Sequence, residues 1–237
     1  DWRLWASLGQ ALPLLAEAAP DAFLNALEKD LRATTPACRE LLSQGDGHIF
    51  SDTPHVELMW ALEGLMWERR WVARASIALA RLAALDPGGN CLPRPFSVLR
   101  EAFLPWYPQC CLNVKERCQL IDQLSQAVPS VGWTLLLGLL PKTQDMSSPR
   151  HRPRFRDSMG TEPGEVSAPD YREQVYYVAR RLVECVGNDP ERWKSLIGEL
   201  HAVPDEVFEA ATGHLENALE NLGEGERNKV WEALRAE

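Results

Sequence analysis

Apolar residues recur along this chain with the period of a helix and never sustain the alternation of a half-buried strand. The strongest stretch is residues 58–89, LMWALEGLMWERRWVARASIALARLAALDPGG. Leu58, Leu62, Leu65 and Met66 fall at i, i+4, i+7 and i+8, and Trp60 and Trp67 widen that face. Thr53 followed by Pro54 supplies an N-cap and a first helical residue, because proline presets φ and lacks an N–H that would go unpaired there. Val72, Ala75, Leu79 and Leu82 mark a second helix, with alanines thin enough for close neighbours, and Asp86-Pro87-Gly88-Gly89 stops it. The pattern predicts an antiparallel helical hairpin with apolar residues on more than one side, which needs other helices around it.

The rest of the chain follows the same period. Residues 1 to about 32 predict one helix ending before Pro20 and another from Asp21, with Phe23, Leu24, Leu27 and Leu31 inward. A short helical turn over 36–42 leads into a polar connector, Gly45-Asp46-Gly47-His48. Prolines at 93, 95, 105 and 108 leave room for one short helix at 97–104. Pro129 divides a further helix pair spanning 113–140, whose second member carries Val131, Trp133, Leu135, Leu136, Leu137, Leu139 and Leu140 and is expected to be the most buried helix. After a stretch without helical period, Asp170 and Glu173 resemble a capping box, and Tyr171, Val175, Val178, Leu182 and Cys185 share a face. Three more helices follow, carrying Trp193, Ile197 and Leu200, then Phe208, Ala211, Leu215 and Leu222, then Val230, Trp231 and Leu234. Two hairpins beginning at 170 and 204 have the spacing of tetratricopeptide-type repeats, but lack the signature residues of that repeat, so only generic helix-pair stacking is inferred.

The expected fold is therefore all-α, with stacked antiparallel helix pairs arranged as an α-solenoid and one long basic loop. Its expected divisions are a helical domain over 1–141, a Pro/Arg-rich loop or linker over 142–169, and an acidic helical-repeat pair over 170–237.

At 237 residues and 45% hydrophobic content the chain can bury a proper core. Its longest apolar run, residues 131–140, falls well short of the roughly 20 residues that span a membrane, so a soluble protein is expected, and six cysteines without the spacing of a disulfide scaffold place it in the reducing cytoplasm. The start lacks Met and already reads as helix, Asp1-Trp2-Arg3-Leu4-Trp5, which points to a piece of a larger protein. The net charge of −9 is unevenly placed: residues 1–156 hold 17 Lys and Arg against 16 Asp and Glu, whereas 157–237 hold 8 against 18. The acidic last third argues against nonspecific nucleic-acid binding there.

The sharpest local feature is Pro149-Arg150-His151-Arg152-Pro153-Arg154-Phe155-Arg156. Arg150, Arg152, Arg154 and Arg156 could pair bidentately with phosphate, His151 could assist and Phe155 could stack on a base. The favoured alternative is that these arginines pin the loop onto acidic helices or helix C-termini. Cys38, Cys91, Cys110, Cys111, Cys118 and Cys185 lack the dense spacing of a disulfide scaffold. Cys110, Cys111 and Cys118 lack a zinc knuckle, and Cys38, His48 and His55 form an equally loose set, so buried free thiols are expected and no metal or cofactor. The nine tryptophans read as packing anchors, an exposed subset of which could serve a partner surface. Phosphate-loop, serine-elbow, zinc-protease and dinucleotide motifs are absent, and Glu216 with Glu220 reads as solvated charge, so no enzyme is expected.

The segments LMWALEGLMW with LARLAALDPGG, then LREAFLPWYPQ, then VGWTLLLGLLP followed by PRHRPRFRD resemble the helical region of large bacterial STAND-type, NLR-like ATPases and related anti-phage defence proteins. The resemblance covers residues 56–157 and implies sensing of a partner or holding of an assembly, with any ATPase or effector chemistry carried elsewhere. Three functional expectations follow. The first is a noncatalytic scaffold or sensor segment that recognises another protein; the second is a nucleic-acid- or anion-contacting module using Arg150 to Arg156; the least favoured is a metal-dependent enzyme fragment using the cysteine and histidine groups.

Overall fold

The computed structural model describes residues 1–43, 54–147, 149–156 and 166–236. Among them the chain is all-α: α1 (Trp2–Leu8), α2 (Ala11–Ala18), α3 (Pro20–Leu31), α4 (Ala37–Leu42), α5 (Pro54–Leu65), α6 (Val72–Leu85), α7 (Pro95–Ala102), α8 (Val114–Ala127), α9 (Pro129–Gly138), α10 (Ala168–Val186), α11 (Pro190–Ile197), α12 (Asp205–Asn221) and α13 (Glu224–Ala236), with no strand. The Gly45 to His48 connector, the proposed cap Thr53 and Asp157 lie outside the described residues. Contacts divide the described chain into two units, one within Asp1–Gly132 and Ser147–Val166, the other within Trp133–Met146 and Ser167–Glu237.

The first unit is built around α5 and α6. Leu58, Leu62, Leu65 and Met66 from one side and Val72, Ala75, Leu79 and Leu82 from the other are all buried, as their spacing predicts. Each such leucine contributes about 1.5–3 kcal/mol by leaving water. Helix α2 packs along α5, α3 along α6, and α7 and α8 cover another part of α6. Trp67 joins this core, but Trp60 stays 37% exposed rather than widening the inner face. The N-terminal segment is two helices, not the one expected: Gly9 adopts a positive φ of 39°, its N–H closes α1 on the Ala6 carbonyl, and α2 starts afresh at Ala11. Glycine enters that region without the Cβ penalty.

Two further devices fix this unit. The Asp86 of the helix stop pairs with Arg94, only 6% exposed, whose guanidinium also donates to the Leu42 carbonyl at 3.1 Å and the Gly88 carbonyl at 3.0 Å. Asn113 and Glu116 form a reciprocal capping box at the start of α8, each side chain accepting the other's backbone N–H at 3.0 Å. The chain then turns at Pro129, and Gly132 sits hard against Ser125 of α8: a Cβ on Gly132 would stand 2.5 Å from Ser125 Cα.

In the second unit α10 packs on α11 and α12, and α11 on α13. The cap of α10 is Ser167, whose hydroxyl accepts the Asp170 N–H at 3.2 Å; the helix begins earlier than an Asp170 cap would allow. Asp189 caps α11. The inner stripe of α12 is Val207, Ala211, Leu215 and Ala218, so Phe208, expected inward, sits one residue off the stripe and is 42% exposed. On α13, Val230 is fully buried while Trp231 is 48% exposed. Glu216 and Glu220 lie on the solvated face. No helix among the described residues is long and apolar enough to cross a membrane.

Candidate functional site

Residues 149–156 form a non-helical strap within the first unit, held through both backbone and side chains. Arg150 donates from Nε to Glu101 at 2.6 Å, makes a second contact with the same carboxylate through its terminal nitrogen, and brings another nitrogen to 3.8 Å from Glu63. The Ser147 hydroxyl donates to Glu101 as well, at 3.0 Å. The Arg150 N–H donates to the Gln109 side-chain oxygen. The His151 N–H donates to Glu63 at 2.9 Å, and its ring stacks on Trp60 at 5.7 Å between centroids with 11° between planes. Arg152 lies 4.2 Å over the Trp67 ring. The N–H groups of Arg154 and Phe155 both donate to Glu17, at 2.9 and 2.5 Å. Arg156 lies 4.6 Å over Trp71 and pairs with Glu68 at 3.3 Å.

Three of the four arginines are thus engaged by groups of the fold. Planar guanidinium suits both a carboxylate fork and an indole face. The carboxylates come from α2, from α5 with the residues just after it, and from α7, rather than from the acidic last third of the sequence. Burial raises the pKa of Glu63 above the usual carboxylate range, although the His151 N–H and the Arg150 charge pull it back. Glu63 Oε1 is buried and receives no hydrogen bond among the described residues. Burial also lowers the pKa of His151, with the Arg154 charge acting in the same direction, so the imidazole favours its neutral form.

Arg154 and Phe155 behave differently. Their backbone is fixed by Glu17, a residue 9% exposed, yet both residues are exposed. Phe155 is 78% exposed. The Arg154 guanidinium makes no hydrogen bond or ion pair among the described residues and borders an open cleft of about 450 Å³ between α2, α5 and the strap. Gln10, Leu14, Glu57, Trp60 and His151 line the same cleft. Glu57 is raised above the ordinary carboxylate value by burial and drawn back by Arg154. A second concavity of about 270 Å³ runs across α1 to α3 and is walled by apolar residues such as Trp5, Leu12, Leu15 and Phe23.

The thiols sit in low-reactivity places. Cys38, Cys110 and Cys118 are buried, and Cys91, Cys111 and Cys185 are partly so. Burial is the main cause that pushes the Cys38 thiol up to about 12, with Asp30 adding to it, Cys110 to about 11 and Cys111 to about 12. His48 of the second loose set lies outside the described residues. The described residues contain no group of three His, Cys, Asp or Glu side chains arranged to hold a metal.

Sequence reasoning picked out the strap, but not Glu17, Glu57, Glu63 or Gln10, which meet it only in the folded chain. A partly buried glutamate on a helix has no local signature that separates it from a solvated one. Together the fold and site define an all-α chain whose first unit carries an aromatic-walled cleft of mixed charge under an arginine strap. No model of a known protein family matches the chain, and no curated protein or solved structure matches it.

Proposed function

We propose that this chain is a noncatalytic helical segment that recognises another protein, within a larger bacterial protein of the STAND-like, anti-phage kind that its sequence blocks resemble. In this reading the helix pairs stack as a scaffold, and the strap is a presentation element held by Arg150, Arg152 and Arg156. The observation that carries it is the strap's orientation: Arg150, Arg152 and Arg156 turn inward onto carboxylates and indoles while Phe155 is exposed on a fixed backbone. Aromatic residues are enriched at protein interfaces, and one carried on ordered backbone has little entropy left to lose on binding. A phosphate-binding loop would present its guanidinium groups to solvent instead. The nucleic-acid alternative then rests on Arg154 alone.

The test is capture by the immobilised chain from lysates of phage-infected and uninfected bacteria, with nuclease, at low and high salt. A protein retained at high salt by the wild type and lost by Phe155→Ala is the expected result. Recovery of nucleic acid with steep salt dependence, unaffected by Phe155→Ala, would replace this reading with the alternative.

A further inference from the structure

The cleft beside the strap holds two opposite charges that attract one another without forming an ion pair or hydrogen bond among the described residues. Glu57 comes from the first turn of α5, and Arg154 from the strap. Neither side chain makes an ion pair or hydrogen bond among the described residues, although both border one cavity of about 450 Å³. The other candidate charges there are already accounted for. Glu17 is occupied by two backbone N–H donors, and His151 lies flat on Trp60. What remains open is one carboxylate, one guanidinium, the Gln10 amide, and an apolar wall made by Trp60 and Leu14.

That inventory selects the ligand's chemistry. A ligand bearing only negative charge would gain from Arg154 and be repelled by Glu57, and a purely cationic one would meet the reverse. A ligand carrying both signs satisfies both ends. The volume lies within the range of sites that enclose a small molecule or a few residues of chain. The apolar wall asks for a hydrophobic group between the charges.

We propose that the cleft of Gln10, Leu14, Glu57, Trp60 and Arg154 is a docking site for a short peptide segment of the partner. That segment presents a basic side chain to Glu57, an acidic side chain to Arg154, and an aliphatic or aromatic residue to Trp60. This rests on the protein-recognition reading. A peptide is the occupant rather than a free zwitterion because the Gln10 amide offers both a donor and an acceptor to a peptide group, and because Phe155, the residue after Arg154, is 78% exposed and open to a longer chain.

The experiment is calorimetric titration of the whole chain with capped alanine-based hexapeptides carrying one lysine, one glutamate and an intervening leucine at each possible spacing. Matched peptides lack one charge, and free leucine serves as the small zwitterion. At least one two-charge spacing should bind, and deleting either charge from it should weaken binding by about tenfold or more. Glu57→Gln and Arg154→Gln should each cause the same loss while changing the melting temperature little, since the two groups attract one another across the cleft but neither side chain makes an ion pair or hydrogen bond among the described residues. Absence of binding by every peptide, equal binding of single-charge peptides, full binding by either variant, or equally tight binding of free leucine would each overturn the proposal. If these variants still capture the partner that Phe155→Ala loses, the protein-recognition reading stands and only the cleft assignment falls.

Discussion

Replacing Arg150 by methionine keeps most of the volume of the side chain and removes only its charge and donors. In the folded chain that guanidinium, 21% exposed, faces Glu101, 12% exposed, and Glu63, 3% exposed. Losing one partner of a buried pair costs about 3–5 kcal/mol, because the other charge is left desolvated. Here two carboxylates lose their cation, but each keeps one hydrogen bond, from the Ser147 hydroxyl and from the His151 N–H. With the partial exposure of Arg150, this brings the expected loss to about 2–3 kcal/mol near neutral pH. That is a large share of the roughly 5–15 kcal/mol that holds a typical domain.

The pH dependence gives this prediction a second edge. Glu63 has a folded pKa above its unfolded value, so the native state binds more protons than the unfolded state between those two values. Its contribution therefore improves as pH falls through the raised value toward the ordinary carboxylate value, and worsens as pH rises. Without the Arg150 charge the folded value rises further, so the penalty of Arg150→Met should shrink on acidification. Adding Glu63→Gln and Glu101→Gln to Arg150→Met should restore most of the loss. Urea unfolding of each variant followed by tryptophan fluorescence, near neutral and at mildly acidic pH, measures all of this. A loss under about 0.5 kcal/mol, the scale of an ordinary surface substitution, would refute the claim that Arg150 is spent on the fold.

Other substitutions test other joints. His151 has a lowered folded pKa, so it contributes stability above the unfolded value of histidine that is lost as pH falls from there through the folded value; His151→Phe should keep the stack on Trp60 and flatten that part of the stability profile. Gly132→Ala should cost about 1–3 kcal/mol in the same unfolding assay, because its Cβ would strike the Ser125 backbone rather than a movable side-chain tip. Cys38, Cys110 and Cys111 should resist a thiolate-directed reagent in the folded chain at mildly alkaline pH and react in denaturant, since burial holds all three protonated; fast native labelling at any of them, read by mass spectrometry, would contradict their placement.

Most helices were legible because they repeat an apolar face over several turns: α5, α6, α8 and α10 lie where Leu58, Val72, Val114 and Val175 place them. The errors came from single residues. Gly9 splits the first helix through a positive φ that a side-chain pattern does not encode. Phe208 is a large apolar residue one position off a stripe of smaller ones, and its size misdirected the assignment. The strap was conspicuous for its arginines, yet its geometry is decided by Glu17, Glu63 and Glu101, each more than 45 positions away along the chain. Composition around a loop does not reveal which distant carboxylates fold against it.

Those carboxylates also separate what holds the strap from what it offers. A buried ion pair is often no more stabilising than an apolar contact of equal volume, so Arg150 with Glu63 and Glu101 is an expensive way merely to attach a loop. Glu17 differs, because it binds only backbone, the N–H groups of Arg154 and Phe155. Removing it as Glu17→Ala should therefore loosen that tip while the arginine anchors remain. The expected cost is about 1–3 kcal/mol for donors that lose their acceptor, reduced to the extent that water reaches them. Amide exchange at Arg154 and Phe155 should accelerate to near local-unfolding rates while exchange at His151 stays slow. Partner capture should then weaken although Phe155 itself is intact, because the tip must be ordered again on binding. Unchanged capture by Glu17→Ala, with exchange at the tip accelerated, would show that ordering of the tip is not what binding requires.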